Sequence, residues 1–370
     1  MRIIITGGGT GGHIYPGISL ARQFQKENQG NEIFFVGTET GMEADIIPRE
    51  GFNFFSLKVK GFKREICFEN ISAFFLFLGS IFSSVKLIKK IKPDLVIGTG
   101  GYVSGSISLV SAMLGVPTFI HEQNALPGIT NKVLSFFSKI VFASFPESEK
   151  YFWKKTNIMC LGNPVRENIW HGNREKLTDL GKISIDKKTI LVFGGSKGAN
   201  AINQAFIDCL NLIDKVLFAK WQILLISGKE DYENMQLKIN NSKYHDYVYI
   251  VPYLYNIEDG YNLADLVICR SGATTVAELT ACGLPSILIP YPYATGNHQM
   301  HNAQYLEKQQ AATIIPQQEL SAKRLASELM KFLANDDFLN TMSQYSKKIG
   351  NRTAANDIVK AIYASLKKER

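Results

Sequence analysis

Cysteine is scarce. Cys67, Cys160, Cys209, Cys269 and Cys282 are scattered through 370 residues, odd in number and without a C-x-x-C pair. They read as reduced core residues of a cytoplasmic protein, not as a disulfide framework. The six histidines form no H-x-x-x-H pair and no D-x-D occurs, so no familiar arrangement of metal ligands is present. Long apolar runs are absent too. The most apolar stretch, Ile71 to Lys92, has a continuous apolar part of only Ala73 to Leu78, far short of the ~20 residues that span a bilayer. The opening MRIIITGG has no basic leader and no cleavage site, and reads as a strand entering a glycine turn, not a signal peptide. No repeat with a period of about 20–50 residues is found.

What is present describes a soluble α/β chain. Hydrophobic residues make up 45% and charged residues 20%, enough to bury a sizeable core, and the length favours two domains. The net charge of +8 favours an anionic partner: nucleic acid, a phosphorylated ligand or an anionic membrane. Non-alternating apolar runs predict buried parallel strands at Ile3–Thr6, Ile33–Val36, Leu95–Gly98, Thr118–His121 and Ile140–Ala143. A second set falls at Ile190–Gly194, Gln222–Ser227, Tyr247–Val251, Leu266–Cys269 and Ser286–Pro290. Helix-like segments alternate with them, so the expected fold is two doubly wound Rossmann-like domains facing a ligand cleft. The breaker cluster Gly162-Asn163-Pro164 divides the chain into residues 1–163 and 164–350. The helical spacing of Ile358, Ile362 and Leu366 marks 351–370 as a C-terminal helix, expected to pack back on the first domain.

Each half opens with a strand, a glycine-rich turn and a helix: IIITGGGTGGH and ILVFGGSKGAN. Gly7, Gly9 and Gly12 satisfy G-x-G-x-x-G. Glycines let backbone N–H groups approach an anion, and the following helix N-terminus favours phosphate. A dinucleotide site would add an acid after the second strand, where Glu39 stands, so an NAD-dependent oxidoreductase remains open. GTGGYVSGS, Gly98 to Ser106, is a further glycine turn at the same carboxyl edge, beside HEQNALPG, His121 to Gly128. That edge suits a pyrophosphate. In the second half no Lys-Ser or Lys-Thr closes a P-loop, but Ser196 can donate to a phosphate. Ser271-Gly272-Ala273-Thr274-Thr275 forms a hydroxyl-rich helix entrance. Glu278 on that helix can accept from two ribose hydroxyls or simply complement the helix dipole.

These motifs carry a resemblance. GGTGGHIYPG, GTGGYVSG, HEQNALPG, GNPVR, GGSKGA, CRSGATTVAEL and HQMHNA, in this order over nearly the whole chain, resemble the MurG family of bacterial N-acetylglucosaminyltransferases. The resemblance implies the GT-B fold. It also implies inverting transfer of N-acetylglucosamine from its UDP donor to the C4 hydroxyl of the muramoyl sugar of lipid I, giving lipid II. By resemblance, Thr10, Gly11, Gly12 and Asn124 lie on the donor-sugar side, and Arg166 and Ser196 reach the donor. Leu254 packs the uracil, Ser271, Gly272, Ala273, Thr274 and Thr275 hold the diphosphate, Glu278 the ribose and Gln299 the sugar. Where this chain has His298 the family often has a second glutamine. The carboxyl-edge residues Gly8, Gly9, Gly100, Gly101, Tyr102 and Glu122 are left for the acceptor.

With no D-x-D, the departing diphosphate would be stabilised without a metal or other cofactor, by backbone donors, hydroxyls and a helix N-terminus. His13 has the near-neutral pKa range suited to a general base for the acceptor hydroxyl; Glu122 and Glu39 are the carboxylate alternatives. The acceptor would be membrane-bound. Phe74–Phe77, Leu78, Ile81 and Phe82, flanked by Lys86, Lys89, Lys90 and Lys92 and by KVKGFKR at Lys58 to Arg64, read either as a patch for an anionic bilayer or as an ordinary buried helix with a basic end. The resemblance implies peripheral attachment at the cytoplasmic membrane face, with other cell-wall synthesis proteins as further partners. Base-reading aromatics among basic patches are not evident, so nucleic acid is not expected.

Overall fold

Ile3, Ile4 and Ile5 are all but inaccessible to solvent, which is the environment of a central strand covered on both faces. The computed structural model describes residues 1–59, 68–178, 183–195 and 198–367. Cys67, Lys60 to Arg64 and Ser196, named above, lie outside the described residues. The chain divides into two units, Met1–Arg166 with Asn351–Arg370, and Glu167–Gly350.

The first unit runs β1 (Arg2–Gly7), α1 (Gly11–Glu27), β2 (Glu32–Thr38), α2 (Glu43–Arg49), β3 (Asn53–Leu57), α3 (Phe68–Ile91), β4 (Leu95–Gly100), α4 (Tyr102–Met113), β5 (Thr118–Glu122), α5 (Ile129–Leu134), β6 (Ile140–Ala143) and β7 (Ile158–Cys160). All its pairings are parallel, in the order β3-β2-β1-β4-β5-β6-β7. The winding therefore reverses between β1 and β4. Chain segments diverge at such a switch point and leave a crevice at the strands' carboxyl ends. The loops after β1 and β4 both lie there.

The second unit repeats the scheme. It comprises α6 (Glu175–Thr178), β8 (Lys188–Phe193), α7 (Asn200–Leu210), β9 (Trp221–Ile226), α8 (Tyr232–Asn240), β10 (Val248–Val251), α9 (Ile257–Leu263), β11 (Leu266–Cys269) and α10 (Ala273–Cys282). It closes with β12 (Ser286–Leu288), α11 (His298–Lys308), β13 (Ala312–Ile314), α12 (Ala322–Ala334) and α13 (Asp336–Ile349). The order β10-β9-β8-β11-β12-β13 puts its switch point between β8 and β11. The last helix, α14 (Ala354–Lys367), belongs to the first unit, where Ile358, Val359 and Ile362 share a core with Ile14, Ile18 and Phe24 of α1.

Three strands were not expected from the sequence: β3, β7 and β13. Each is an edge strand of its sheet. The helix α3 departs from the buried-helix reading in an instructive way. It buries Ser80, Ser84, Ile88 and Ile91 and exposes Phe75 and Phe82. The inward serines are satisfied by their own helix, Ser80 donating to the carbonyl of Phe77 and Ser84 to that of Ser80.

Candidate active site

The first glycine loop is less open than its composition implies. A Cβ at Gly8 would lie 2.2 Å from a carboxylate oxygen of Glu43, and one at Gly101 would lie 2.6 Å from the carbonyl oxygen of Gly8. The Gly8 N–H donates to the Gly100 carbonyl at 3.3 Å, and the Gly9 N–H donates to Glu43 Oε2 at 2.9 Å. Glu43 Oε1 also accepts from the N–H and hydroxyl of Thr38, at 2.8 and 2.6 Å. Burial opposes the charge on Glu43, but these hydrogen bonds outweigh it and hold the carboxyl below the ordinary glutamate range. The protein thus supplies its own anion to this loop. This spends the N–H groups or the missing side chains of Gly8, Gly9 and Gly101 on internal packing. It also takes from the dinucleotide reading the donor that a pyrophosphate would need, while Glu39 is merely exposed. Gly9 and Gly12 stay uncrowded: a Cβ at Gly9 would meet nothing within 4 Å and one at Gly12 only Thr10 Oγ1 at 3.6 Å. Thr10 caps α1, with Gly11 in its first turn. Tyr102, half-exposed, opens α4.

Gly100 has a different task. Its φ is +108°, and a Cβ there would sit 2.7 Å from the His13 ring, so its bareness makes room for the imidazole. His13 Nδ1 lies 2.9 Å from the Thr99 carbonyl and 3.0 Å from Gln123 Oε1. Both are acceptors, so Nδ1 carries a proton and the neutral ring keeps its lone pair on Nε2. The Thr99 hydroxyl donates to the His13 carbonyl at 2.8 Å and fixes the backbone beneath.

Glu122 is the last residue of β5. It is buried, and its carboxylate accepts from the N–H and side-chain amide of Asn124, the N–H of Gly128 and Nδ2 of Asn131. It ties the HEQNALPG loop together. Asn124 is held by it at the loop surface. Arg166 stacks its guanidinium 4.9 Å over the Tyr15 ring of α1.

In the second unit the loop after β8 contains Gly195 and Gly198 at positive φ; a Cβ at Gly198 would come 2.6 Å from the Ser227 carbonyl oxygen. After β11, Gly272 caps α10. The hydroxyl of Ser271 is fully buried and donates to the Gln299 carbonyl at 2.8 Å, which ties α11 to the loop. Ala273 is buried behind it. Thr274 and Thr275 lie in the first turn of α10, and the Thr274 hydroxyl is buried with no partner among the described residues. An orphaned donor at a helix N-terminus fits an anion.

Glu278, one turn further, is buried, and its Oε2 accepts from the Tyr261 hydroxyl at 3.1 Å. Burial, with the Glu278 charge beside it, keeps that phenol protonated far above its ordinary range. Leu254 packs on α9, its Cδ2 2.9 Å from where a Gly260 Cβ would stand. Gln299 Oε1 accepts from the Tyr291 N–H at 2.9 Å. His298 Nδ1 donates to the Thr295 carbonyl at 2.6 Å. Arg270 spans from the end of β11 to the carbonyls of Ile289 and Pro290 and to Gln317 Oε1, which places a cation just before the α10 entrance.

Sequence reasoning missed Glu43, Gln123, His121 and Tyr261. Gln123 and His121 stood inside a noted motif; Glu43 and Tyr261 had no local signal. Among the described residues, no group of three or more His, Cys, Asp or Glu side chains could hold a metal ion.

Comparison with known proteins places this arrangement. Residues 3–143 match the glycosyltransferase family 28 N-terminal domain and residues 189–361 its C-terminal domain. The chain is 43% identical over 374 residues to the UDP-N-acetylglucosamine--N-acetylmuramyl-(pentapeptide) pyrophosphoryl-undecaprenol N-acetylglucosamine transferase of Desulforamulus reducens, covering 100% of each. It is 44% identical over 370 residues to the like-named protein of Halothermothrix orenii, covering 98% of each. A crystal structure of Acinetobacter baumannii MurG superposes with a TM-score of 0.80 at 28% identity, over 98% of this chain and 99% of that one. A putative UDP-N-acetylglucosamine 2-epimerase from Listeria monocytogenes shares the fold alone, with a TM-score of 0.72 at 14% identity, over 99% and 97%. With both domains matched in order and relatives this similar over their full length, the chain belongs to the MurG group of glycosyltransferase family 28 and has its GT-B fold.

Proposed function

We propose that the protein is a hexosyltransferase that moves N-acetylglucosamine from UDP-N-acetylglucosamine to the C4 hydroxyl of the muramoyl sugar of lipid I, with inversion, giving lipid II for peptidoglycan synthesis. The observation that carries the chemistry is His13, whose Nδ1 faces two carbonyl oxygens and whose Nε2 is left to take a proton. In the transfer the C4 oxygen attacks the anomeric carbon as its proton passes to His13 Nε2. The bond from that carbon to the phosphate oxygen breaks, and UDP leaves with the electron pair.

The second unit holds the donor in this reading. The α10 N-terminus, with the unpartnered Thr274 hydroxyl and neighbouring Thr275, receives the charge that grows on the diphosphate. Glu278 takes the ribose hydroxyls, Leu254 the uracil and Gln299 the sugar. Thr10, Gly12 and Asn124 serve the sugar side from the first unit.

Attachment to a membrane surface belongs to the same reading. Phe75 and Phe82 of α3, Met113 of α4, Ile129 and Val133 of α5, and Phe136 are all exposed. These helices pack side by side, α3 on α4 and α4 on α5, and Lys86, Lys89, Lys90 and Lys92 follow at the end of α3. No helix among the described residues is long and apolar enough to cross a bilayer, so the patch would rest on the surface. The direct test incubates the protein with UDP-N-acetylglucosamine and a lipid I analogue. The β-linked disaccharide product and free UDP are expected; release of UDP alone, or epimerised donor, would refute the transfer.

A further inference from the structure

Behind His13 lies a buried chain of polar groups that the transfer itself does not use. His121 and Gln123 are both almost wholly inaccessible. Burial pushes the His121 pKa down to about 4, so its ring is neutral in ordinary buffers. His121 Nε2 lies 3.3 Å from the Gly162 carbonyl and must donate to it. Its Nδ1 is then an acceptor, and Gln123 Nε2 stands 2.9 Å away. The same amide nitrogen is 2.8 Å from the Thr99 carbonyl and 3.1 Å from the His121 carbonyl. All three neighbours accept, so the nitrogen of the amide points at them and its oxygen must point the other way, at His13 Nδ1.

We propose that Gln123, locked by His121, is a positioning residue that holds His13 in its Nδ1–H tautomer and so directs the Nε2 lone pair to the substrate hydroxyl. The inference rests on the reading of His13 as the base. The physical logic is that a ring with one amide oxygen and one carbonyl oxygen at Nδ1 cannot place its lone pair there without losing both hydrogen bonds. Thr99 alone would leave a single acceptor at Nδ1 and nothing further to fix the plane of the ring. The amide could fail in one way, by flipping. His121 prevents this, because a flipped Gln123 would turn its oxygen toward three acceptors.

The test is nitrogen-15 NMR of histidine-labelled full-length protein, at a pH where the His13 ring is neutral by its own titration, with His13→Ala identifying the signals. Wild type should show Nδ1–H for His13. Gln123→Leu should show a mixture of tautomers and a kcat lowered about tenfold or more, with the donor KM held, since a general base contributes about 10²–10⁴-fold. Gln123→Met, unbranched and equally unable to accept, replaces it if the leucine variant does not fold. An unchanged tautomer in a folded variant would overturn the proposal whatever happens to kcat, and so would a mixed tautomer with undiminished kcat. The two readings separate cleanly: a His13→Ala enzyme that keeps its kcat sinks the base, whereas the tautomer signals judge Gln123 alone.

Discussion

Replacing Glu43 by glutamine tests whether the first glycine loop is held by an internal anion. The side chain keeps its shape, so the change isolates charge and hydrogen-bond polarity. Glu43 accepts three hydrogen bonds, from the Gly9 N–H, the Thr38 N–H and the Thr38 hydroxyl, and is only 1% exposed. A hydrogen bond to a charged group contributes about 1.5–3 kcal/mol and a neutral one about 0.5–1.5. In Glu43→Gln the amide oxygen can keep both Thr38 contacts at neutral strength, but the amide nitrogen meets the Gly9 N–H donor to donor. Losing one charged bond and weakening two gives a local cost of about 3 kcal/mol or more. Amides of Gly8 and Gly9 that exchange by local opening should then exchange roughly 100-fold faster, at 1.4 kcal/mol per decade. Hydrogen–deuterium exchange over a peptide spanning the loop reads this directly. pH supplies an independent sign. The carboxyl is held below its ordinary value of 4.5, so its contribution is present above that pH and is lost as pH falls through the lower, folded value. Wild type should lose loop protection on acidification, and the variant should lack that component. Unchanged exchange in Glu43→Gln, or an acid transition identical to wild type, would refute the role given to this carboxylate.

Three further outcomes are expected. Tyr261→Phe removes the phenol that bonds Glu278; the donor KM should rise roughly 10-fold or more, as loss of one charged hydrogen bond of about 1.5–3 kcal/mol requires, with kcat little changed, and an unaltered donor KM would detach Tyr261 from the ribose side. Gly101→Ala combines a φ of +84° with a Cβ 2.6 Å from the Gly8 carbonyl, and should cost about 1–3 kcal/mol in denaturant titration; a neutral result would contradict the close approach of the two loops. Phe75→Ser with Phe82→Ser should weaken binding to anionic vesicles while leaving turnover of a water-soluble acceptor intact, and equal losses in both assays would mean the two rings are structural.

The strands that could be read from the sequence were those buried on both faces, such as Ile3-Ile4-Ile5 and Leu95-Val96-Ile97. A central parallel strand needs an unbroken apolar run, and that is visible locally. The unread strands β3, β7 and β13 close the edges of their sheets. Asn53, Phe54, Phe55 and Ser56 of β3 are only partly buried or exposed, so no continuous run announced them. The glycine turns and the α10 entrance stand out in the sequence because backbone chemistry dominates there. The sequence is silent where a distant side chain completes a local motif. Nothing in GMEADII shows that Glu43 would occupy the glycine loop, and nothing about Tyr261 shows that it would reach Glu278. Glu122 is the converse case: an acid in a distinctive motif invites a chemical role, while its four hydrogen bonds to its own loop are visible only in three dimensions.

The last helix makes the order of synthesis matter. The first unit emerges from the ribosome early, yet α1 buries Ile14, Ile18 and Phe24 in a cluster shared with Ile358, Val359 and Ile362 of α14. Those partners are translated only after the whole of the second unit. Until then the nascent first unit carries an uncovered apolar stripe that chaperones or neighbouring chains can seize. A fragment ending at Arg166 would be trapped in that state permanently. Genetic dissection of this protein therefore requires residues 351–370 to be rejoined to the first unit, and a stop codon ahead of α14 would disable the half of the molecule that was made first.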